Sequence, residues 1–166
     1  MYEEVYSEWL VRCKKPVYIP VLKVLVILLL AFSALSMLFF WFGFIIVLAL
    51  IAAYYGLNCL SKKEYEYIFV AGDLTFDRIL GEQFRKRRLS LHMEDIELIA
   101  PWDAGELAGF RNKPGMKIAN YSSKRPDAKL YGIVCRKEGE TRLVVFEPGE
   151  KMLQDMKKGA PRKVII

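Results

Sequence analysis

Between Lys23 and Lys62 the chain holds no Asp, Glu, Lys or Arg. An apolar run of more than about 18 residues is the signature of a membrane-spanning segment. As one helix these roughly 38 residues would extend about 57 Å, nearly twice the ~30 Å hydrocarbon core. Tilt cannot absorb that mismatch. The pattern therefore predicts two helices, Pro20 to Met37 and Phe44 to Leu60, joined by a turn at Phe39-Phe40-Trp41-Phe42-Gly43. Trp41 suits a membrane–water interface, and Gly43 tolerates the backbone angles of a turn. Lys23, near the start of the first helix, can snorkel to the headgroups.

On either side the pattern is polar enough to fold in water. Residues 1–19 form one segment: in "YEEVYSEWLVRCKK", Tyr2, Val5, Tyr6, Trp9, Leu10 and Cys13 recur at helical spacing. That predicts an amphipathic helix lying on the inner leaflet or docked on the soluble part. Residues 20–61 form the transmembrane hairpin, and residues 64–166 a separate domain. Within it, "EYEYIFV" and "LTFDRIL" alternate across a short turn at Gly72 and predict a β-hairpin. Further strand-like runs are "RLSLHM", "IELIAP", "MKIANY", "KLYGIVCR" and "RLVVFE", with Pro101–Gly115 read as a loop. After Pro148, placed in the first helical turn, Met152, Leu153 and Met156 make a helical stripe that Gly159 and Pro161 end. Seven strands and one helix predict an antiparallel barrel capped by the C-terminal helix.

Charge sets the topology. Arg12, Lys14, Lys15 and Lys23 lie at the start of the hairpin, Lys62 and Lys63 follow it, and its turn carries no cation. The positive-inside rule then puts both termini in the cytoplasm of a protein that crosses the cell membrane twice. A cleavable signal peptide, whose apolar core is only about 7–15 residues, does not fit the length or position of this run.

The stretches "EYEYIFVAGDLTFDRILG", "KRPDAKLYGIV" and "FEPGEKMLQDMKKGAPRKV" resemble a bacterial family of two-helix membrane proteins with a PH-like cytoplasmic tail, domain of unknown function 6106. The resemblance implies a PH-like seven-stranded domain and no established activity. PH-like domains that bind phosphoinositides use basic residues in the first strand-to-strand loop. Here that loop is read as "VAGDL", which has none.

The sharpest local feature is "FRKRRLSL", with Arg85, Lys86, Arg87 and Arg88 contiguous. Strand alternation puts Arg85 and Arg87 with Leu89 and Leu91 on one face, and Lys86 and Arg88 on the other. Beside a membrane these cations are candidates for anionic-lipid contact, against a solvated charge run that only sets topology. Nucleic acid is not an expected partner, since no stacking aromatics accompany the cluster. Candidate contacts for a protein or peptide partner are Trp102 and Phe110 in the Pro101–Gly115 loop, and Tyr121, Ser122, Ser123 and Lys124 in "YSSKRPDAK". That second stretch reads equally as a turn organised by Pro126 and Asp127.

Catalysis is not expected. His92 beside Glu94 and Asp95 reads as a strand end, and Cys135 in an apolar strand reads as core. Cys13, Cys59 and Cys135 form no paired motif, and no cofactor or metal is implied. Cys13 and Cys59, near the membrane boundary, leave S-acylation open. The reading is a membrane-anchored, non-enzymatic binding or scaffolding module that recognises a protein or peptide partner. Its rivals are lipid contact through Arg85–Arg88 and an accessory subunit acting through its helices. Ala31, Ser33, Ala34 and Ser36, with Ala49, Ala52 and Ala53, would allow close helix packing in that last role.

Overall fold

The computed structural model describes residues 6–36, 43–137 and 139–166. In chain order the elements are strand β1 (Tyr6–Arg12), helices α1 (Tyr18–Ser36) and α2 (Gly43–Ser61), and strands β2 (Lys63–Val70), β3 (Asp73–Leu80), β4 (Phe84–His92) and β5 (Ile96–Pro101). Helix α3 (Gly105–Arg111), strands β6 (Lys117–Asn120), β7 (Tyr131–Lys137) and β8 (Glu140–Phe146), and helix α4 (Glu150–Gly159) follow. The expected turn around Trp41 lies outside the described residues, except that Gly43 opens α2.

α1 and α2 begin and end close to the expected residues and meet along one narrow seam. Ile19, Val26 and Ser33 are buried, each seven positions after the last, with Lys23 and Leu30 half-buried between them. Across the seam α2 sets Gly43, Val47, Leu50, Tyr54 and Leu57, an alternation of three- and four-residue steps. That spacing packs two helices at a shallow crossing. Little of either helix is covered by the rest of the chain: 17% of Tyr18–Leu35 and 6% of Gly43–Ser61 is buried. Val24, Leu28, Phe32, Ile45, Ile46 and Ile51 all face outward, each at least half exposed.

Two features show how the helices are held together. The Lys23 ammonium donates to Asn58 Oδ1 at 2.6 Å and to Ser61 Oγ at 3.4 Å, so it ties the two helices together at their outer ends. Ala31, Ala34, Ala49, Ala52 and Ala53 are exposed, and the small residues that enter the seam are Ser33 and Gly43.

The N-terminal segment differs more. Its described part is a strand, not an amphipathic helix, and it pairs antiparallel with β2 from Tyr6↔Val70 to Arg12↔Glu64. Ser7 and Val11 turn inward, while Tyr6, Glu8 and Leu10 stay exposed. The free edge of β2 supplies a complete ladder for seven residues, and that non-local pairing overrides local helical spacing. The Cys13 amide extends the ladder by donating to the Lys63 carbonyl at 3.0 Å. Both apolar helices are thus an insertion into the connection between two paired strands, and their outer ends emerge side by side.

The β part is two four-stranded sheets, ordered β1-β2-β3-β4 and β5-β7-β8-β6. This corrects the expected architecture: eight strands are described rather than seven, neither sheet closes into a barrel, and β6 pairs with β8 in parallel. The segment read as a loop between Pro101 and Gly115 contains α3. The sheets share a core in which Tyr67, Phe76 and Phe146 meet edge to face at 5.3–5.8 Å and Tyr121 stacks on Phe76 at 5.1 Å. The Tyr67 hydroxyl donates to the Tyr121 carbonyl at 2.7 Å, and burial pushes its pKa up.

The central strands of the second sheet, β7 and β8, are buried on both faces, which is why "YGIVC" and "LVVF" read as unbroken apolar runs. Its outer face carries Ala100, Val134 and Leu143 against Leu107 of α3. Met152, Leu153 and Met156 of α4 enter the shared core, and the Trp9 ring lies flat on Gly149, where a Cβ would come within 2.6 Å of it.

This connectivity predicts which soluble fragment folds. A chain of residues 64–166 lacks β1 and should show no cooperative melt. Residues 6–13 joined to 63–166 by a short Asn-Gly turn should melt cooperatively in circular dichroism, because the joined ends already share a hydrogen bond. Equal behaviour of the two fragments would refute the inserted-hairpin topology.

Candidate binding cleft and the basic strand

β4 is one edge of the first sheet and carries the basic run. Its register to β3 is Ile79↔Arg85, Arg78↔Lys86 and Asp77↔Arg87, then jumps to Phe76↔Leu89, leaving Arg88 as an extra residue. This bulge corrects the simple alternation expected for "RKRRLSL". Arg85 and Arg87 project from the outer face of the sheet, whereas Leu89 and Leu91 turn into the core between the sheets. A bulge flips the parity of everything beyond it.

On the outer face Arg85 and Arg87 meet two buried carboxylates. Glu66 and Asp77, cross-strand neighbours on β2 and β3, are 3% and 4% exposed. Arg85 forms an ion pair with Glu66 and lies 4.0 Å from Asp77, and Arg87 Nε lies 3.6 Å from Asp77. Burial, and a hydrogen bond shared with Glu8, hold the Glu66 carboxyl above its ordinary range, and the Arg85 charge opposes them. Half of the basic run is therefore committed to neutralising acids that the fold itself buries. Lys86 and Arg88 are exposed and form no ion pair among the described residues.

Arg88 stands at the mouth of a cleft of about 290 Å³ between the edge of the first sheet at β4 and that of the second at β6. Leu89, Leu91, Ile118, Ala119, Tyr121, Cys135 and Val144 line it, with Arg88, Lys117 and Arg142 as its cations. Lys117 and Arg142 share Glu140, at 2.8 and 3.3 Å. The result is an apolar slot between the edge strands β4 and β6, with three cations among its lining residues. Sequence reasoning missed Lys117, Ile118 and Arg142, because alternation marks a strand without saying which two edges will face each other.

The other candidates are placed elsewhere. Trp102 and Phe110 pack on the outer core of the second sheet, and the Arg111 guanidinium covers the Trp102 ring at 5.4 Å. Ser122 and Ser123 are buried: the Ser122 hydroxyl donates to Asn120 Oδ1 at 2.7 Å, and Ser123 Oγ accepts from the Arg125 amide at 3.2 Å. The Ser123 carbonyl also accepts from the Lys14 amide at 2.9 Å, so this stretch is a structural turn against the end of β1. Of that group Tyr121 lines the cleft and Lys124 is exposed. His92 Nδ1 pairs with Asp73 rather than with Glu94 or Asp95. Burial raises the Cys13 thiol pKa, which disfavours the thiolate that acylation needs.

Two packed sheets with an amphipathic C-terminal helix in their core define a PH-like domain. The family described as "Bacterial PH-like domain (DUF6106)" matches residues 3–166, and the chain belongs to that family. No curated protein and no solved structure matches it.

The charge arrangement makes a prediction for stability. Arg85→Ala strips the Glu66 carboxylate of its counter-ion and should cost about 1–3 kcal/mol at neutral pH, a buried-pair loss discounted for the exposed arginine. Glu66 titrates above its unfolded value, so protonation relieves the unpaired charge. The penalty should shrink as pH falls through that raised range. Chemical denaturation of the joined fragment at neutral and acid pH measures both, and Lys86→Ala should leave stability unchanged.

Proposed function

We propose that this chain is a membrane-anchored, non-enzymatic PH-like module. Its cytoplasmic domain recognises an extended, acidic segment of a partner protein in the cleft between β4 and β6. The observation that carries this reading is the cleft itself. It offers apolar contacts for alternate side chains, cations for acidic ones, and an edge strand on either side. Strand addition uses these three features together. A binding role is further supported by the charged chains that line the cleft, Arg88, Lys117 and Arg142, which are all cations, while the thiol of Cys135 is 1% exposed.

The two helices are long and apolar enough to cross a membrane, and lipid is the environment that suits their uncovered faces. Leaving each large side chain in water would cost about 1.5–3 kcal/mol. Because β1 pairs with β2, both outer helix ends lie on the side of the PH-like domain. Arg12, Lys14, Lys15, Lys62 and Lys63 cluster there, which favours the cytoplasm.

Peptide display against the joined fragment tests the cleft. Enriched peptides should alternate apolar residues with Asp or Glu. Ala119→Trp, which fills the slot, and Arg88→Glu, which reverses its mouth, should each weaken binding about tenfold or more. Peptides indifferent to both variants would end the proposal.

Orientation has a separate test. Asn112→Cys, an exposed site, should resist a membrane-impermeant maleimide on intact cells and react once the membrane is permeabilised. Labelling before permeabilisation would put the domain outside.

A further inference from the structure

The anchor positions one end of the domain at the depth of the membrane interface, and an exposed aromatic stands there. The turn between β3 and β4 reaches back alongside the last turn of α2. A Cβ on Gly81 would sit 2.9 Å from the Cys59 sulfur and 3.1 Å from the Cys59 Cα. The Gly81 amide donates to the Lys62 carbonyl at 2.9 Å, and Glu82 pairs with the Lys62 ammonium at 2.8 Å. Cys59 lies three residues inside the exit of α2, so the turn is level with the final turn of that helix. Phe84, two residues beyond Glu82, is 61% exposed, with no place in either core. Leu60 and Tyr18, at the outer ends of the helices, are 55% and 63% exposed. Exposed apolar side chains are thus found both at the outer ends of the helices and just beyond the β3–β4 turn that packs against α2.

Exposed cations flank this level. Lys14 and Lys15 follow β1, Lys124 follows the serine whose carbonyl accepts from the Lys14 amide, and Lys86 lies two residues along β4 from Phe84. None of the four forms an ion pair among the described residues. By contrast Arg85 and Arg87, which the sequence alone offers first for lipid contact, are held by Glu66 and Asp77.

We propose that the β3–β4 turn is a third membrane contact. Phe84 inserts into the interfacial layer beside α2, while Lys14, Lys15, Lys86 and Lys124 bind anionic lipid headgroups around it. An exposed Phe held at that depth buries its ring at the boundary of headgroups and acyl chains, as the apolar faces of interfacial elements do. Each lysine held near an anionic surface strengthens attachment by about fivefold. The domain is then pinned at three points, α1, α2 and the turn, which fixes its tilt and leaves the cleft between β4 and β6 in one orientation to the bilayer. This rests on the helices spanning a membrane, and it is independent of what fills the cleft.

The test uses the full chain in lipid nanodiscs of phosphatidylcholine with phosphatidylglycerol as the minority component. Benzoylphenylalanine, a photo-crosslinker close to Phe in shape, replaces Phe84, or Leu28 within α1, or Ala71 in the β2–β3 turn at the far end of the sheet. Adducts at position 28 report the span itself, so failure there refutes the anchoring and not merely the third contact. With position 28 positive, lipid adducts at 84 should exceed those at 71 several-fold. Equal yields would overturn the insertion of Phe84. Phosphatidylglycerol should be over-represented in the position-84 adducts relative to its share of the bilayer. That enrichment should vanish when Lys14, Lys15, Lys86 and Lys124 are all changed to Gln. Enrichment that is absent, or that survives the four changes, would overturn the role of the lysines.

Discussion

Seven backbone-paired residues of β1 and β2, from Tyr6↔Val70 to Arg12↔Glu64, hold together two points of the chain that the whole apolar run separates in sequence. Closing a loop of that length is entropically costly for a flexible chain. Here the cost is reduced because the intervening chain is two antiparallel helices whose ends return to the same place. The apolar run forms two helices that pack against each other, so it doubles back. Doubling back brings Arg12 near Glu64, and the strand pairing then locks the return. Lys23, bound to Asn58 and Ser61, ties the same end from within the helices. Helix pairing and sheet pairing are one constraint met from two sides.

That constraint changes the meaning of the family comparison. In headgroup-binding PH-like domains the first strand-to-strand loop approaches the membrane. With β1 in place, that connection is not "VAGDL" but the helical hairpin itself. "VAGDL" is the β2–β3 turn, whose Ala71 and Gly72 take the left-handed φ of 48° and 92° that a two-residue hairpin turn requires. It lies at the end of β2 away from the helices. Its lack of cations is therefore no argument about membrane contact.

The basic run shows how burial reassigns charge. Contiguous cations look like one patch in sequence, yet two of them balance Glu66 and Asp77, acids that would otherwise face each other uncompensated on adjacent strands. The single bulge at Arg88 then separates those two from the residues that line the cleft. One extra residue sets Arg88 apart from the two arginines held by Glu66 and Asp77.

Several things could be known from residue order alone. The length of the uncharged run imposes two helices, the alternation in "EYEYIFV" and "LTFDRIL" imposes a hairpin, and the stripe of Met152, Leu153 and Met156 imposes a final helix, because these depend on local periodicity and on bilayer thickness. Tertiary structure decided what depends on distant partners. Tyr6–Arg12 became a strand because β2 had an edge to offer. Trp102 and Phe110 were covered because α3 had a sheet face to protect. The cleft exists because neither sheet closes on the other, which leaves β4 and β6 facing each other across a gap. Pairing between remote strands is a property of the whole chain, and no local pattern encodes which edge is left over.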